Sequence, residues 1–235
     1  MTIKVYGSLM SQPTRAIVLL CLANKIPYEL VFVDISKLDH KKPEFTALNP
    51  AGQIPVLDDD GFILPESVSI LKYLATSRHL PDHWYPVDVK ARARVDYLLD
   101  WYHTNIRSNC YVFEKEYSSL VSWKMEPDAV AIRSYEQKMN SSMDLVEESF
   151  LKAEEGKGPF LLGSSQPSIA DILFASEYAQ TQILSQADQE RIFTGRDKTK
   201  KWLELTEKTL DPHFAEVLKP IADLSRVLEA ARNGN

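Results

Sequence analysis

The chain has 235 residues, 44% of them hydrophobic, which is enough for one large domain or two modest ones with a real core. Its 33 acidic residues against 27 basic ones argue against a nucleic-acid surface. No stretch approaches the roughly eighteen apolar residues that a membrane span needs. A strand pattern begins almost at once, without a basic-then-apolar leader, so we expect no secretory peptide.

The two cysteines, Cys21 and Cys110, lie far apart and form no C-x-x-C pair. This spacing excludes a dithiol redox motif and gives no disulfide framework, so we expect a reduced compartment. Cys21 lies within an apolar segment and is predicted to be an inert core thiol. The sequence assigns no role to Cys110.

The first eighty residues predict a small mixed sheet with helices packed on it. Residues 3–6 and 28–34 are typical of strands, and between them residues 15–23 are apolar nearly all round. This segment predicts a buried crossover helix that begins near Pro13 and ends at Asn24. Two further strand patterns flank residues 58–61, whose Asp-Gly is a strong hairpin signal.

A helix is expected after the hairpin, with Ser67 available to cap it. Its buried face is predicted to contain Val68, Leu71, Leu74 and Ala75. Residues 79–86 hold two prolines and no periodicity, which indicates a boundary between domains at 1–80 and 87–235.

The second half predicts an all-helical domain. Residues 87–126 lack Gly and Pro, and residues 155–159 break a second long helix. A last helix is expected over 221–232. The two long helices are predicted to bury these apolar positions: Ala91, Val95, Leu98, Leu99, Tyr102 and Ile106; then Ile132, Tyr135, Met139, Met143, Val146 and Phe150. Ser168 and Asp171 form a capping-box pattern, for which we favour a structural role.

The segment around Ser11 is the first candidate for chemistry. Ser11 lies just ahead of a helix N-terminus, where unpaired amides and the helix dipole favour an anion. A serine hydroxyl that donates to a bound thiol would favour the thiolate, which is the nucleophilic form. The alternative is that Ser11 is an ordinary cap or turn residue. Tyr6, at the end of the first strand, is a competing hydroxyl, although an aromatic residue there also suits a core.

Three further segments can hold a peptide-like ligand. The Ile54-Pro55 turn can be cis and can present backbone groups. Glu66 and Ser67 lie at a helix start, where a carboxylate and an ammonium can bind, although this is also an ordinary cap position. His40 and Lys41 belong to a basic cluster that can meet an anion or can simply be solvated.

Taken in order, these segments resemble the glutathione transferase superfamily over essentially the whole chain. The theta class, particularly its plant-type members, is indicated by four motifs: SQPTR at 11–15, DHWYP at 82–86, LDWYHTNIR at 99–107 and FLLGS at 160–164. The resemblance implies an α/β thioredoxin-like N-terminal domain, an all-α C-terminal domain and a homodimer. It also implies glutathione as co-substrate, with no other cofactor and no metal site.

The resemblance also implies roles for individual residues. Ser11 takes the place of the thiol-activating serine, which separates the chain from cysteine-type relatives that exchange thiols. Gln53 stands where relatives often have Lys, which removes a charge at the glycyl carboxylate, and Thr104 stands where some relatives carry an acid. Arg107 matches an arginine that supports the site or the subunit contact. The implied glutathione contacts are Gln12, His40, Lys41, Gln53, Ile54, Pro55, Glu66 and Ser67.

The sequence therefore predicts a glutathione transferase that adds glutathione to small hydrophobic electrophiles, with hydroperoxide reduction as a second activity. One alternative is a noncatalytic protein of the same fold that binds glutathione or hydrophobic ligands. The other, a thiol–disulfide reductase, is disfavoured because position 11 is not Cys. The chain ends Asn233-Gly234-Asn235, unlike the Ser-Lys-Leu-type peroxisomal signal, so a cytoplasmic location is expected.

Overall fold

The structure is a computed structural model that describes residues 2–107, 129–152 and 158–232. Cys110, residues 155–157 of the predicted break and the tripeptide 233–235 lie outside the described residues. Within them, no helix combines the length and the apolar character that crossing a membrane requires.

A four-stranded mixed sheet forms the N-terminal part, in the order β2-β1-β3-β4. The strands are β1 (Ile3–Gly7), β2 (Tyr28–Phe32), β3 (Val56–Asp59) and β4 (Phe62–Pro65). β1 pairs with β2 in parallel and with β3 antiparallel, and β3 pairs with β4 antiparallel. The hairpin turn has positive φ at both Asp60 (55°) and Gly61 (88°), the backbone that the Asp-Gly sequence favours.

Helix α1 (Gln12–Ala23) makes the crossover between the parallel strands β1 and β2. Pro13 lies in its first turn and Asn24 ends it, as the sequence predicts. Every side chain from Gln12 to Cys21 is buried, because α1 packs against the sheet on one side and against the helical part on the other. This helix is therefore the central contact between the two halves of the protein.

A short 3₁₀ turn (Asp39–Lys41) and helix α2 (Pro43–Thr46) precede β3. Helix α3 (Ser67–Ser77) follows β4 and buries the predicted apolar face: Val68, Leu71, Leu74 and Ala75. The prediction that Ser67 caps this helix is wrong. Ser67 is the first helical residue, Glu66 occupies the N-cap position, and no side chain caps the end.

The rest of the described chain is helical, as predicted. α4 (Val89–Tyr102) continues into a π-helical turn (His103–Arg107), and α5 (Ala129–Leu145) continues into another (Val146–Phe150). The later helices are α6 (Ile169–Tyr178), α7 (Gln186–Phe193), α8 (Asp197–Leu210) and α9 (His213–Arg232), with short 3₁₀ turns at Leu161–Gly163 and Ala179–Ile183. Of the predicted apolar faces, the following are buried: Val95, Leu98, Leu99, Tyr102, Ile106, Met139, Met143, Val146 and Phe150.

The capping box at the start of α6 is present, and it extends further than predicted. Ser168 Oγ accepts from the amides of Ala170 and Asp171. The Asp171 carboxylate accepts from the Ser168 amide and hydroxyl, both at 2.8 Å. It also accepts from the Leu161 amide at 3.0 Å and from Trp202 Nε1 at 2.8 Å. Asp171 therefore joins three segments of the helical core.

Candidate active site

Ser11 lies in a tight turn between β1 and α1. Its amide donates to the Ser8 carbonyl at 2.9 Å, and its backbone has φ −88° and ψ 123°, the extended conformation of an N-cap residue. The side chain makes no capping hydrogen bond to the helix, and the residue is only 8% exposed. A hydroxyl that makes no hydrogen bond within the described part of the chain therefore lies at the positive end of a buried helix dipole, where a bound anion is stabilised.

Tyr6 and Cys21 are placed differently from Ser11. Tyr6 packs against the small apolar cluster of Val33, Phe45 and Val56. Cys21 is fully buried, and burial raises the pKa of its thiol to about 12. A thiol with such a pKa remains protonated and unreactive at neutral pH, so Cys21 is a core residue, as predicted.

The loop from 49 to 54 lies against the 3₁₀ turn that carries His40 and Lys41. Lys41 Nζ donates to the Gly52 carbonyl at 3.0 Å. Gly52 has φ 58°, and a Cβ there would lie 2.8 Å from the His40 carbonyl oxygen, so only glycine permits this approach. The close approach places His40 and Lys41 against Gly52, the residue that precedes Gln53.

Asn49 holds the same loop from inside. Its side-chain amide donates to the Gln53 carbonyl at 2.8 Å, and its Oδ1 accepts from the Ala51 amide at 3.1 Å. Asn49 is 6% exposed, whereas Gln53 is exposed. The Gln53 side chain is thus presented to solvent from a fixed backbone. The next peptide bond, Ile54–Pro55, is cis, as expected.

Glu66 and Ser67 lie at the N-terminus of α3. Glu66 has φ 70° and ψ 111°, which falls outside the regions that a non-glycine residue ordinarily occupies. Such strain persists only where the surroundings impose it, and it is concentrated at ligand clamps. Glu66 is exposed and Ser67 is 5% exposed, so a charged side chain and the free amides of a helix start lie together.

Two of the predicted ligand residues bury a polar atom that has no hydrogen-bond partner among the described residues. These atoms are Gln12 Nε2 and His40 Nδ1. Buried polar groups in folded proteins are nearly always hydrogen-bonded, so an unpaired one indicates a position where a ligand or a water molecule binds. Burial, with the neighbouring Lys41 charge, lowers the pKa of His40, so its ring is neutral at pH 7 and can donate or accept.

Arg107 ends the π-helical turn after α4, with its side chain one-third exposed. Its Nη1 lies 3.5 Å from Oε1 of Glu177, a fully buried carboxylate that also accepts from the Tyr102 hydroxyl. Thr104, in the same turn, is exposed. Arg107 is therefore held at the edge of the helical part by a buried anion.

Comparison with known proteins gives the family. Residues 1–76 match the domain described as glutathione S-transferase, N-terminal domain. Glutathione S-transferase T1 of Arabidopsis thaliana is 38% identical over 92% of this chain and 87% of its own length. A human theta-class glutathione transferase, solved with the glutathione conjugate of 1-menaphthyl sulfate, superposes with a TM-score of 0.82 at 32% identity, over 99% of this chain and 91% of that one.

The chain belongs to the glutathione S-transferase family. Its relatives place it in the theta class, and it is a transferase with glutathione as co-substrate. Glutathione S-transferases T3 and T2 of Arabidopsis are also similar, at 37% and 36% identity, but the chain spans only 36% of the length of each.

Sequence reasoning assigned no part in this transferase's site to two residues that the structure brings forward. Asn49 positions the loop before Gln53, and Arg15 contacts the segment that leads to Ser11. Arg15 belongs to the SQPTR motif and Asn49 precedes the Ile54-Pro55 turn, yet neither was given a role. The signal was available: a polar residue within a strongly apolar stretch, such as Arg15 in residues 15–23, needs buried partners.

Proposed function

We propose that this transferase conjugates the glutathione thiolate to small hydrophobic electrophiles and that the Ser11 hydroxyl donates a hydrogen bond to the thiolate sulfur. The observation that supports the proposal is the uncommitted Ser11 side chain at the N-terminus of α1. Lowering a thiol pKa by about two units requires about 2.7 kcal/mol, which one charge-assisted hydrogen bond and the helix dipole can supply together.

The γ-glutamyl end of glutathione binds at Glu66 and Ser67. The N-terminus of α3 supplies amides for its carboxylate, the Ser67 hydroxyl adds a donor, and the Glu66 carboxylate pairs with its ammonium. The strained backbone of Glu66 supports a clamp at this point. The cysteinyl backbone pairs with Ile54, ahead of Pro55, and this position directs the thiol toward Ser11.

The glycyl carboxylate binds near His40, Lys41 and Gln53. Lys41 supplies the positive charge. The Gln53 side-chain amide supplies a neutral donor, and its backbone is fixed by Asn49. The unpaired buried atoms of Gln12 and His40 are the further polar contacts that glutathione completes. Arg107, which the Glu177 carboxylate holds at the edge of the helical part, supports the site or the subunit contact.

The proposal extends to the assembly, the domain division and the location. The domains are residues 1–80 and 87–235, and the protein is a cytoplasmic homodimer. Support for the dimer comes from large apolar side chains that are exposed on β4 (Phe62, 48%), just before α4 (Val87, 76%) and at the first residue of α4 (Val89, 78%). Sedimentation analysis of the wild type and of Phe62→Glu tests this, because a dimer that buries Phe62 dissociates in the variant.

The test of the function is glutathione-dependent turnover of a panel of electrophiles, hydroperoxides and disulfides, together with calorimetric binding of glutathione. We expect turnover of electrophiles, and loss of at least about tenfold in Ser11→Ala with a smaller loss of glutathione binding. Tyr6→Phe is the matched control and keeps its activity. Binding without any turnover would identify a noncatalytic protein, and turnover of disulfides alone would identify a reductase.

A further inference from the structure

The side chain of Arg15 lies directly beneath the segment that carries Ser11. It is fully buried, and its Nη1 donates to the carbonyl of Leu9 at 2.8 Å and to the carbonyl of Met10 at 3.2 Å. Its backbone amide also donates to the Ser11 carbonyl at 3.0 Å. One residue therefore binds three consecutive carbonyls, of which the last belongs to Ser11 itself.

The other end of the same guanidinium is fixed to the helical part. Nη2 donates to the Ser176 carbonyl in α6 at 2.9 Å and to Gln180 Oε1 at 2.6 Å. Gln180 is 7% exposed and lies in the 3₁₀ turn after α6. The segment before Ser11 is thus held against a buried helix of the opposite half, and not only by its own turn.

The charge of Arg15 persists in this buried position. Burial lowers the pKa of its guanidinium to about 10, and the nearby carboxylate of Glu177 opposes this change. At neutral pH the side chain is therefore still a cation, and its Nη1 and Nη2 donors are in place, whereas its buried Nε has no partner among the described residues. The planar, forked guanidinium can bind two pairs of acceptors at once, which a lysine ammonium cannot do in the same geometry.

We propose that Arg15 is a positioning residue for thiol activation: its guanidinium sets the backbone of Leu9 and Met10, and through it the direction of the Ser11 hydroxyl. The inference rests on the proposed role of Ser11. A hydroxyl whose direction is no longer fixed makes a weaker hydrogen bond to the thiolate, because these bonds weaken steeply with angle.

The experiment compares Arg15→Lys with a matched control, Arg196→Lys. Arg196 is another buried arginine, with its side chain 9% exposed, and it binds Asp144 and Asn140 within the helical part. For each variant we measure thermal stability, kcat, KM and the pKa of the bound glutathione thiol, which the ultraviolet absorbance of the thiolate reports. Both variants are expected to lose thermal stability.

The thiol pKa separates positioning from structural support. We expect Arg15→Lys to raise the pKa of bound glutathione by about one unit and to lower kcat at neutral pH about threefold, whereas Arg196→Lys leaves the pKa at the wild-type value. An unshifted pKa in Arg15→Lys, or an equal shift in Arg196→Lys, overturns the proposal. If Arg15→Lys does not fold, Gln180→Ala removes one acceptor only and is expected to give a smaller shift of the same sign. No shift in Gln180→Ala then overturns it.

A double variant distinguishes the two proposals. If Arg15 acts through Ser11, then Ser11→Ala with Arg15→Lys has the same thiol pKa as Ser11→Ala alone. Additive shifts would mean that Arg15 acts independently, which overturns the inference and leaves Ser11 in its role. Full activity in Ser11→Ala would overturn both. If Ser11→Ala loses activity while Arg15→Lys keeps the wild-type thiol pKa and kcat, the inference about Arg15 is overturned and the proposed role of Ser11 stands.

Discussion

Two serines occupy the same position at the start of two buried helices, and their side chains are used differently. Ser11 precedes α1 and Ser168 precedes α6, and these helices pack against each other at the centre of the protein. Ser168 accepts from two helical amides and donates to Asp171. The Ser11 side chain makes no such bond to its helix.

The residues that follow each serine explain the difference. α6 has Asp171 in its first turn, which satisfies the N-cap and offsets the helix dipole. α1 has no acidic residue in its first turn and has Pro13 there, which supplies no amide. A serine at an N-cap is therefore structural where its helix completes the hydrogen bonds. Where the serine hydroxyl, the first amides and the helix dipole have no partner within the helix, the helix N-terminus can bind an external anion.

The largest effect is expected from removing Asp171. Asp171→Ala leaves the Leu161 amide and Trp202 Nε1 buried without an acceptor, and each unpaired group costs about 1–3 kcal/mol. We expect the free energy of unfolding to fall by about 3 kcal/mol, with the Michaelis constant for glutathione nearly unchanged. Urea unfolding and steady-state kinetics measure the two quantities.

A second Ser-x-x-Asp box provides the control for Asp171. Ser185 and Asp188 cap α7, with the Asp188 side chain one-third exposed and without contacts to a distant segment among the described hydrogen bonds. Asp188→Ala should therefore cost only about 1 kcal/mol. Equal losses in the two variants would show that Asp171 is an ordinary cap. A stable but inactive Asp171→Ala would contradict its structural role.

Ser11→Ala should have the opposite profile. We expect conjugation to fall at least about tenfold, equivalent to about 1.4 kcal/mol of transition-state stabilisation. The free energy of unfolding should stay within about 0.5 kcal/mol of the wild type, because no capping hydrogen bond is lost. Kinetics and urea unfolding on the same preparation measure this. Full activity in Ser11→Ala, with loss in Tyr6→Phe, would transfer the role to Tyr6.

Ser168→Ala tests whether the serine that caps α6 has only a structural role. The substitution removes the acceptor for the amides of Ala170 and Asp171 and one donor to the Asp171 carboxylate. We expect a loss of about 1 kcal/mol in the free energy of unfolding and no change in kcat. Thermal and urea denaturation check the first, and turnover at saturating glutathione checks the second. A change in kcat without a change in stability would contradict the assignment of a structural role to Ser168 and a catalytic role to Ser11.

Much of the fold could be predicted because its determinants are local. Pro13 and Asn24 bound α1, Asp60 and Gly61 form the hairpin turn, and apolar spacing locates the buried helix faces. Long-range contacts were not accessible in this way. The Asp171 bonds to Leu161 and Trp202 join positions that only the folded chain brings together, so the sequence showed a local box and missed its links to the core.

The candidate site shows the same limit. The order of the short motifs was enough to name Ser11 and the segments around it as candidates. The sequence predicted Ser67 as the N-cap of α3. In the structure Ser67 is already the first helical residue, and Glu66, with a strained backbone, occupies the N-cap position. Local propensity disfavours such a backbone at a glutamate, so only the surrounding structure can impose it.

The smallest effect is expected from Cys21, whose thiol is buried near the C-terminus of α1. Burial raises the pKa of its thiol from 9.0 to about 12, so above about pH 9 the unfolded chain loses this proton while the folded chain keeps it. The free energy of unfolding must then fall as pH rises, until about pH 12. We expect the wild type to lose about 0.7 kcal/mol more than Cys21→Ala between about pH 8.5 and about pH 9.5. Urea unfolding of both proteins across this range measures the difference between the two slopes, to which the other titrating groups contribute equally. Parallel curves would mean that the folded protein lets Cys21 ionise, and α1 would then be less firmly packed than its contact with α6 requires.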